Sequence, residues 1–196
     1  RAQELYPVEI YKFVCMSNHA HWILGPRDAE QLASFMRHLL SNLSKEAKRR
    51  RGSREPVFDR RYQAVLISEE EAAQVARLRY LLAHGTKEGI VASPLDWPGP
   101  HSAGQLLSQE SIPVEWCSRT DQRRLRNNPE ALRAATHRYD FRLAPLPCWA
   151  HKSREWIRET AAEMLQEIEQ EAAQQRRDSH RSTVPSRKGS AAARRR

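Results

Sequence analysis

His19 and His21 stand one residue apart in the run Cys15-Met16-Ser17-Asn18-His19-Ala20-His21-Trp22-Ile23-Leu24. On an extended strand, side chains two apart share a face, so both imidazoles can converge on one divalent cation. Tyr80 and His84 lie four apart in a segment with a helical pattern, which stacks a phenol and a third imidazole about 6 Å apart along one face. Two imidazoles on a strand, with a phenol and a third imidazole on a helix, would make a metal-assisted nucleophilic site. Each signal alone is weak. A His-x-His pair is more often a half-exposed polar face, and a single tyrosine more often an amphipathic residue at the edge of a core.

The elements that must position these residues are legible in outline. Val8 to Met16 alternates and is rich in β-branched and aromatic residues, which predicts a strand, and His19 to Gly25 predicts a second one after the short turn Ser17-Asn18. Asp28 is placed to N-cap a helix whose apolar residues Leu32, Phe35, Met36, Leu39, Leu40 and Leu43 recur at helical spacing, ending in a basic run before Gly52 and Pro56. Tyr62 to Ile67 predicts a further strand. Ser68 then caps a helix that begins Glu69-Glu70-Glu71, with acids at the positive end of its dipole. On that helix Val75, Leu78 and Leu82 form an apolar stripe, Ala73, Arg77, Tyr80 and His84 lie along another face, and Gly85 stands where a C-cap glycine is expected. Pro94, Pro98 and Pro100 mark an extended connection. Short helical pieces follow, and Ser153 to about Arg177 predicts a long amphipathic helix that packs on the body or on a second subunit. The resulting division is a core over residues 1–103, an accessory segment with short helices over 104–150, an amphipathic helix over 151–177 and a disordered basic tail over 178–196.

Composition sets the outer limits. At 196 residues the chain can bury a core of ordinary size, and its net charge of +9 with a pI near 9.9 favours a polyanionic partner. Eight of the 33 lysines and arginines, against two of the 24 acids, lie between Glu171 and Arg196, so most of the excess charge sits in the tail. Within the body two clusters stand out, Lys45 with Lys48, Arg49, Arg50, Arg51 and Arg54, and Arg119 with Arg123, Arg124 and Arg126. Either is a solvated helix face or a DNA-backbone contact. Cys15, Cys117 and Cys148 are far apart, with no CxxC pair, which speaks against a disulfide framework or zinc knuckle and suits a reducing cytoplasm. No apolar run approaches the roughly 20 residues of a membrane span, and nothing matches a signal peptide. The chain begins with Arg1 rather than Met, the expectation being a fragment or a reading frame started elsewhere.

Four blocks in order carry a family resemblance. Asn18-His19-Ala20-His21-Trp22-Ile23-Leu24 resembles the HUH signature of single-tyrosine transposases, Phe58-Asp59-Arg60-Arg61-Tyr62-Gln63-Ala64 the segment leading to their last core strand, Arg79-Tyr80-Leu81-Leu82-Ala83-His84-Gly85-Thr86-Lys87-Glu88-Gly89-Ile90-Val91 their nucleophile helix, and Asp96-Trp97-Pro98 their closing stretch. The match spans roughly residues 8 to 103 and is closest to insertion-sequence and REP-associated tyrosine transposases. The resemblance implies an α+β fold with a ferredoxin-like antiparallel sheet and helices on one face. That family's first strand and helix precede the position of Val8, so the unit is expected to be missing here and the sheet to keep an unpaired edge, open to pairing with another copy as a homodimer.

The resemblance also implies single-stranded or hairpin DNA as partner, no membrane, and nicking through a 5′-phosphotyrosine intermediate followed by strand transfer. Tyr80 would be the nucleophile. His19, His21 and His84 would hold Mg²⁺ or Mn²⁺, and Lys45, Arg49, Arg50, Arg60, Arg61 and Lys87 would contact phosphates. Ala20 is smaller than the family's usual residue between the histidines, His84-Gly85 replaces an Asn-Pro, and Lys87 stands where arginine is common. A third imidazole in place of an amide shifts metal preference toward Mn²⁺ or Zn²⁺. The contrasting expectation is a decayed relic that binds hairpins without cutting them. An unrelated His-x-His phosphoesterase is a third, lacking a supporting carboxylate cluster.

Overall fold

β1 (Glu9–Cys15) and β2 (Ala20–Gly25) form an antiparallel hairpin whose turn is Ser17-Asn18, closed by the Met16 N–H donating to the His19 carbonyl at 2.8 Å. The computed structural model describes residues 1–52 and 54–179. Val14 pairs with His21 and Lys12 with Ile23, so these four side chains share one face of the hairpin, while Ile10, Trp22 and Leu24 take the other. A register shift between Ile10 and Lys12 leaves Tyr11 as an extra residue on β1.

Each face is covered by helices. α2 (Ala29–Arg51) begins at Asp28, whose carboxylate accepts the Gln31 N–H at 2.7 Å, and ends at Gly52 with φ +65°, a left-handed C-cap. Its Phe35 and Met36 bury against Val8, joined by Ile10, Trp22, Leu24 and Tyr62. On the opposite face, α3 (Glu71–Leu82) supplies Leu78, Leu81 and Leu82, and the long helix at residues 154–179 supplies Ile157, Ala161, Leu165 and Ile168 around the buried Trp149. The expectation of helices on one face is therefore corrected: the inward residues of the hairpin alternate between two cores, one on each side.

The α+β class holds, but the sheets are small. Among the described residues, two two-stranded antiparallel sheets form and no four- or five-stranded ferredoxin-like sheet. Tyr62 to Ile67 pairs with no strand, and its Val65 and Leu66 are 65% and 98% exposed. The outer edge of β1 is not bare either. Cys15 N–H donates to the Pro100 carbonyl at 2.8 Å, Ser102 N–H to that of Phe13 at 3.1 Å, and Ala144 N–H to that of Ile10 at 3.0 Å. Two returning loops thus satisfy groups that would otherwise invite another chain. One turn of helix, α1 (Ala2–Leu5), runs into β1.

The segment after residue 103 contains more than short helices. α4 (His84–Lys87) follows α3, and beyond α5 (Ala103–Ser108) come β3 (Ile112–Trp116), α6 (Arg119–Arg124), α7 (Pro129–Ala134) and β4 (His137–Phe141), with β3 and β4 paired in register. α8 (Arg154–Ser179) packs on the body of its own chain through the stripe anticipated for it. The tail anticipated over 178–196 lies almost wholly outside the described residues. Among the described residues, no helix is long and apolar enough to cross a membrane.

Gly85 is not a C-cap. It is buried inside α4, and the left-handed backbone comes four residues later at Gly89, with φ +69°. What position 85 requires is the absence of a side chain, because a Cβ there would stand 3.0 Å from Trp97 Cε3 and 3.1 Å from Val91 Cγ2. Trp97 cannot easily yield, since its indole N–H donates to the Cys15 carbonyl at 2.9 Å. Gly85→Ala should therefore destabilise the chain by about 1–3 kcal/mol, read as a lower urea midpoint. Unchanged stability would show that Trp97 is free to move.

Candidate metal and nucleophile site

The hairpin turn and the α3–α4 junction meet at four rings. His19 immediately precedes β2 and His21 is its second residue, and Tyr80 comes from the last turn of α3. His84 opens α4, after Ala83 keeps the chain in a right-handed conformation with φ −75° and ψ −4°. Helical spacing therefore survives the junction, and the Tyr80 and His84 ring centroids are 5.6 Å apart. The His21 ring lies 4.7 Å from that of His84 and 6.2 Å from that of Tyr80, and the His19 ring 5.0 Å from each of the other imidazoles. Trp97 staples the two halves, hydrogen-bonded to the end of β1 and packed on Gly85 beside His84.

One ring nitrogen from each histidine lies within 4.8 Å of the others, so His19, His21 and His84 can hold a metal ion. Two details fit that use. The Asn18 side-chain oxygen stands 2.6 Å from His19 Nδ1 and can only accept there, which puts the proton on Nδ1 and leaves Nε2 as a lone pair. Among the described residues, His21 Nε2 is buried with no hydrogen-bond partner, and its lone pair suits a metal ion. His19 Nε2 and His84 Nε2 approach to 2.8 Å. Burial, and then the neighbouring imidazoles His84 and His19, hold the His21 pKa below the usual histidine value. Burial and then His19 do the same for His84, against an opposing pull from Glu88. Neutral imidazoles are the form that binds metal.

No protein-family model, curated protein or solved structure matches the chain. Its chemistry has to be read from the side chains themselves.

Tyr80 is 39% exposed beside this cluster, accessible to a large substrate while its ring packs on His21 and His84. Lys87 places its Nζ 5.6 Å from the Tyr80 ring centroid. The other residues singled out for phosphate contact are elsewhere. Lys45, Arg49 and Arg50 lie on α2, which packs on the opposite face of the hairpin, and Glu46 pairs with Arg49 at 2.6 Å and with Arg50 at 2.8 Å. Arg60 and Arg61 sit in the segment between α2 and α3, with the Arg61 guanidinium 5.5 Å from the Tyr62 ring. Arg119 donates to the Asn42 side chain at 2.6 Å, which brings the second basic cluster against α2.

Three residues near the site escaped the sequence reading. Asn18 orients His19. Lys12 is fully buried on the same hairpin face as His21, with its amino group 3.5 Å from His101 Nδ1. That nitrogen also accepts the Ala103 N–H at 3.1 Å. Strand alternation from Val14 could have placed Lys12 inward, but nothing in the spacing points to His101.

Proposed function

We propose that this chain is a metal-dependent single-stranded DNA nickase and strand transferase of the HUH single-tyrosine transposase type, acting in DNA transposition. The observation that carries the reading is the convergence of three imidazoles and a half-exposed tyrosine from the hairpin and the α3–α4 junction. The basic surface of α2 and α6 supports a DNA partner.

His19, His21 and His84 would hold a divalent cation, Mg²⁺ or Mn²⁺, and such an ion polarises a phosphate and offsets its developing charge. An all-nitrogen donor set suits Mn²⁺, or a borderline ion such as Zn²⁺, better than oxygen-seeking Mg²⁺. The Tyr80 oxygen attacks the scissile phosphorus, giving up its phenolic proton to solvent while the leaving 3′-oxygen takes one up. The phosphorus–oxygen bond to the 3′ side of the upstream nucleotide breaks, the upstream strand leaves with a free 3′-hydroxyl, and the downstream strand stays on Tyr80 through its 5′-phosphate. Attack by a 3′-hydroxyl on that phosphotyrosine reverses the step and joins a new strand. Asn18 fixes His19 in its ligating tautomer, and Trp97 holds His84 against the hairpin.

The test uses the full-length protein, Mn²⁺ and a pool of hairpins with randomised single-stranded flanks, labelled at either end. A 3′ label should migrate with the protein on a denaturing gel and a 5′ label should not, and EDTA should abolish the adduct. Hairpin binding with no adduct would overturn the nickase and leave a DNA-binding relic.

A further inference from the structure

Two arginines on α3 have opposite surroundings. The Arg79 guanidinium is clamped by Glu167 at 2.8 Å and Glu171 at 2.6 Å, which ties α3 to α8. Arg77, two residues earlier, is exposed and forms no ion pair among the described residues; its guanidinium carbon stands 5.9 Å from the Tyr80 ring centroid. Lys87, exposed on α4, reaches the same ring at 5.6 Å. Two cations from two elements, neither in an ion pair among the described residues, therefore flank the tyrosine that faces the histidines. Cation–π contact at an exposed site is weak, so neither side chain is needed there for folding and both are free to turn to a ligand.

The charge of the histidine cluster sharpens the point. Its donors are three imidazoles with no carboxylate among them, and imidazole brings no negative charge to a metal, so a bound divalent ion would not be neutralised by its ligands beside Arg77 and Lys87. Such a site calls for more than one negative charge. We propose that Arg77 and Lys87 form a second phosphate site beside Tyr80, holding the backbone phosphate next to the one that Tyr80 attacks. Arg77 offers a planar fork that grips two phosphate oxygens, and Lys87 adds a point charge. This rests on the proposed DNA-nicking reading and adds to it a substrate contact, Arg77, that phases the strand across the nucleophile.

Binding of a labelled hairpin with single-stranded flanks is measured on the full-length Tyr80→Phe protein, which cannot turn over but keeps the ring, with Mn²⁺ at several salt concentrations. Adding Arg77→Gln should weaken binding about tenfold and reduce the slope of log affinity against log salt by about 1, with Lys87→Gln acting similarly. Arg77→Lys should restore the slope but not the full affinity. Arg79→Gln should lower thermal stability and leave the slope unchanged. Unchanged affinity and slope in Arg77→Gln, or no hairpin binding at all, would overturn the proposal. Adduct formation by the unmutated protein is scored separately, so a working nickase with an unaltered Arg77→Gln slope refutes the second phosphate site alone.

Discussion

Tyr80→Phe should form no covalent DNA adduct while binding Mn²⁺ as tightly as the unmutated chain, and His21→Ala should lose both. The phenylalanine ring preserves the edge contacts to His21 and His84, at 6.2 and 5.6 Å between centroids, and removes only the oxygen that would attack. Loss of a nucleophile costs on the order of 10³-fold or more in rate, because the remaining groups can only bind and polarise the phosphate. His21 is different. Its Nε2 is buried with no hydrogen-bond partner among the described residues, so truncation removes one of three donors and opens the pocket to water. Altering a residue that merely orients a ligand costs roughly 10–100-fold in metal affinity, so loss of a ligand itself should exceed about 100-fold. Calorimetric Mn²⁺ titration and adduct formation on a denaturing gel give independent readings. An adduct persisting in Tyr80→Phe would move the nucleophile elsewhere, and Mn²⁺ affinity unchanged in His21→Ala would remove the ion from the histidine cluster.

How far the site was legible in the sequence depends on the range of the interactions that build it. His19 and His21 needed only a strand, and strand alternation is written in the apolar residues around them. Tyr80 and His84 needed only four residues of helical spacing, which Ala83 keeps through the break between α3 and α4. Their meeting depends on Trp97 and Gly85, whose contact is fixed by packing across residues 15 to 97 rather than by any local pattern. The same limit explains the misplaced strand. Tyr62 to Ile67 has the periodicity of a pleated segment, but periodicity names a face and not a partner, and the edge of β1 is taken by Pro100, Ser102 and Ala144. β3 and β4 were missed for the converse reason. Each has five residues, and although Ile112, Val114 and Trp116 alternate with Pro113 and Glu115, a proline inside so short a run argues against a strand, so their pairing is evident only once both are in place.

Acid should destabilise this protein steeply below about pH 6.5, where its buried histidines begin to hold the folded chain at a disadvantage. Burial, reinforced by the Lys12 amino group at 3.5 Å, pushes His101 down to about 3 from the ordinary histidine value of 6.5. Burial likewise lowers His21 and His84. A base whose folded value is depressed is protonated more readily in the unfolded chain, so its contribution is complete above pH 6.5 and is lost as pH falls toward the folded value. Each pH unit across that window costs about 1.4 kcal/mol per histidine held neutral. Between pH 6.5 and 4.5, His101 alone should therefore remove roughly 2–3 kcal/mol, a large share of a domain's usual 5–15 kcal/mol. Burial also depresses Lys12, which acts in the same direction from its ordinary value of 10.5 downward. Two carboxylates are held low by their partners, Asp28 by the Gln31 N–H and Glu46 to about 2 by Arg49 and Arg50, and the stability these two contribute is lost only below about pH 4.5. Urea midpoints taken with EDTA at pH 7.5, 6.5, 5.5 and 4.5 span the histidine window, and a variant at His101 separates its share from that of Lys12. His101→Gln keeps a side-chain acceptor for the Ala103 N–H and removes the titrating ring, so its stability should fall less steeply across this range even if it is lower at pH 7.5. An equal slope in the two proteins would show that His101 does not carry the acid response.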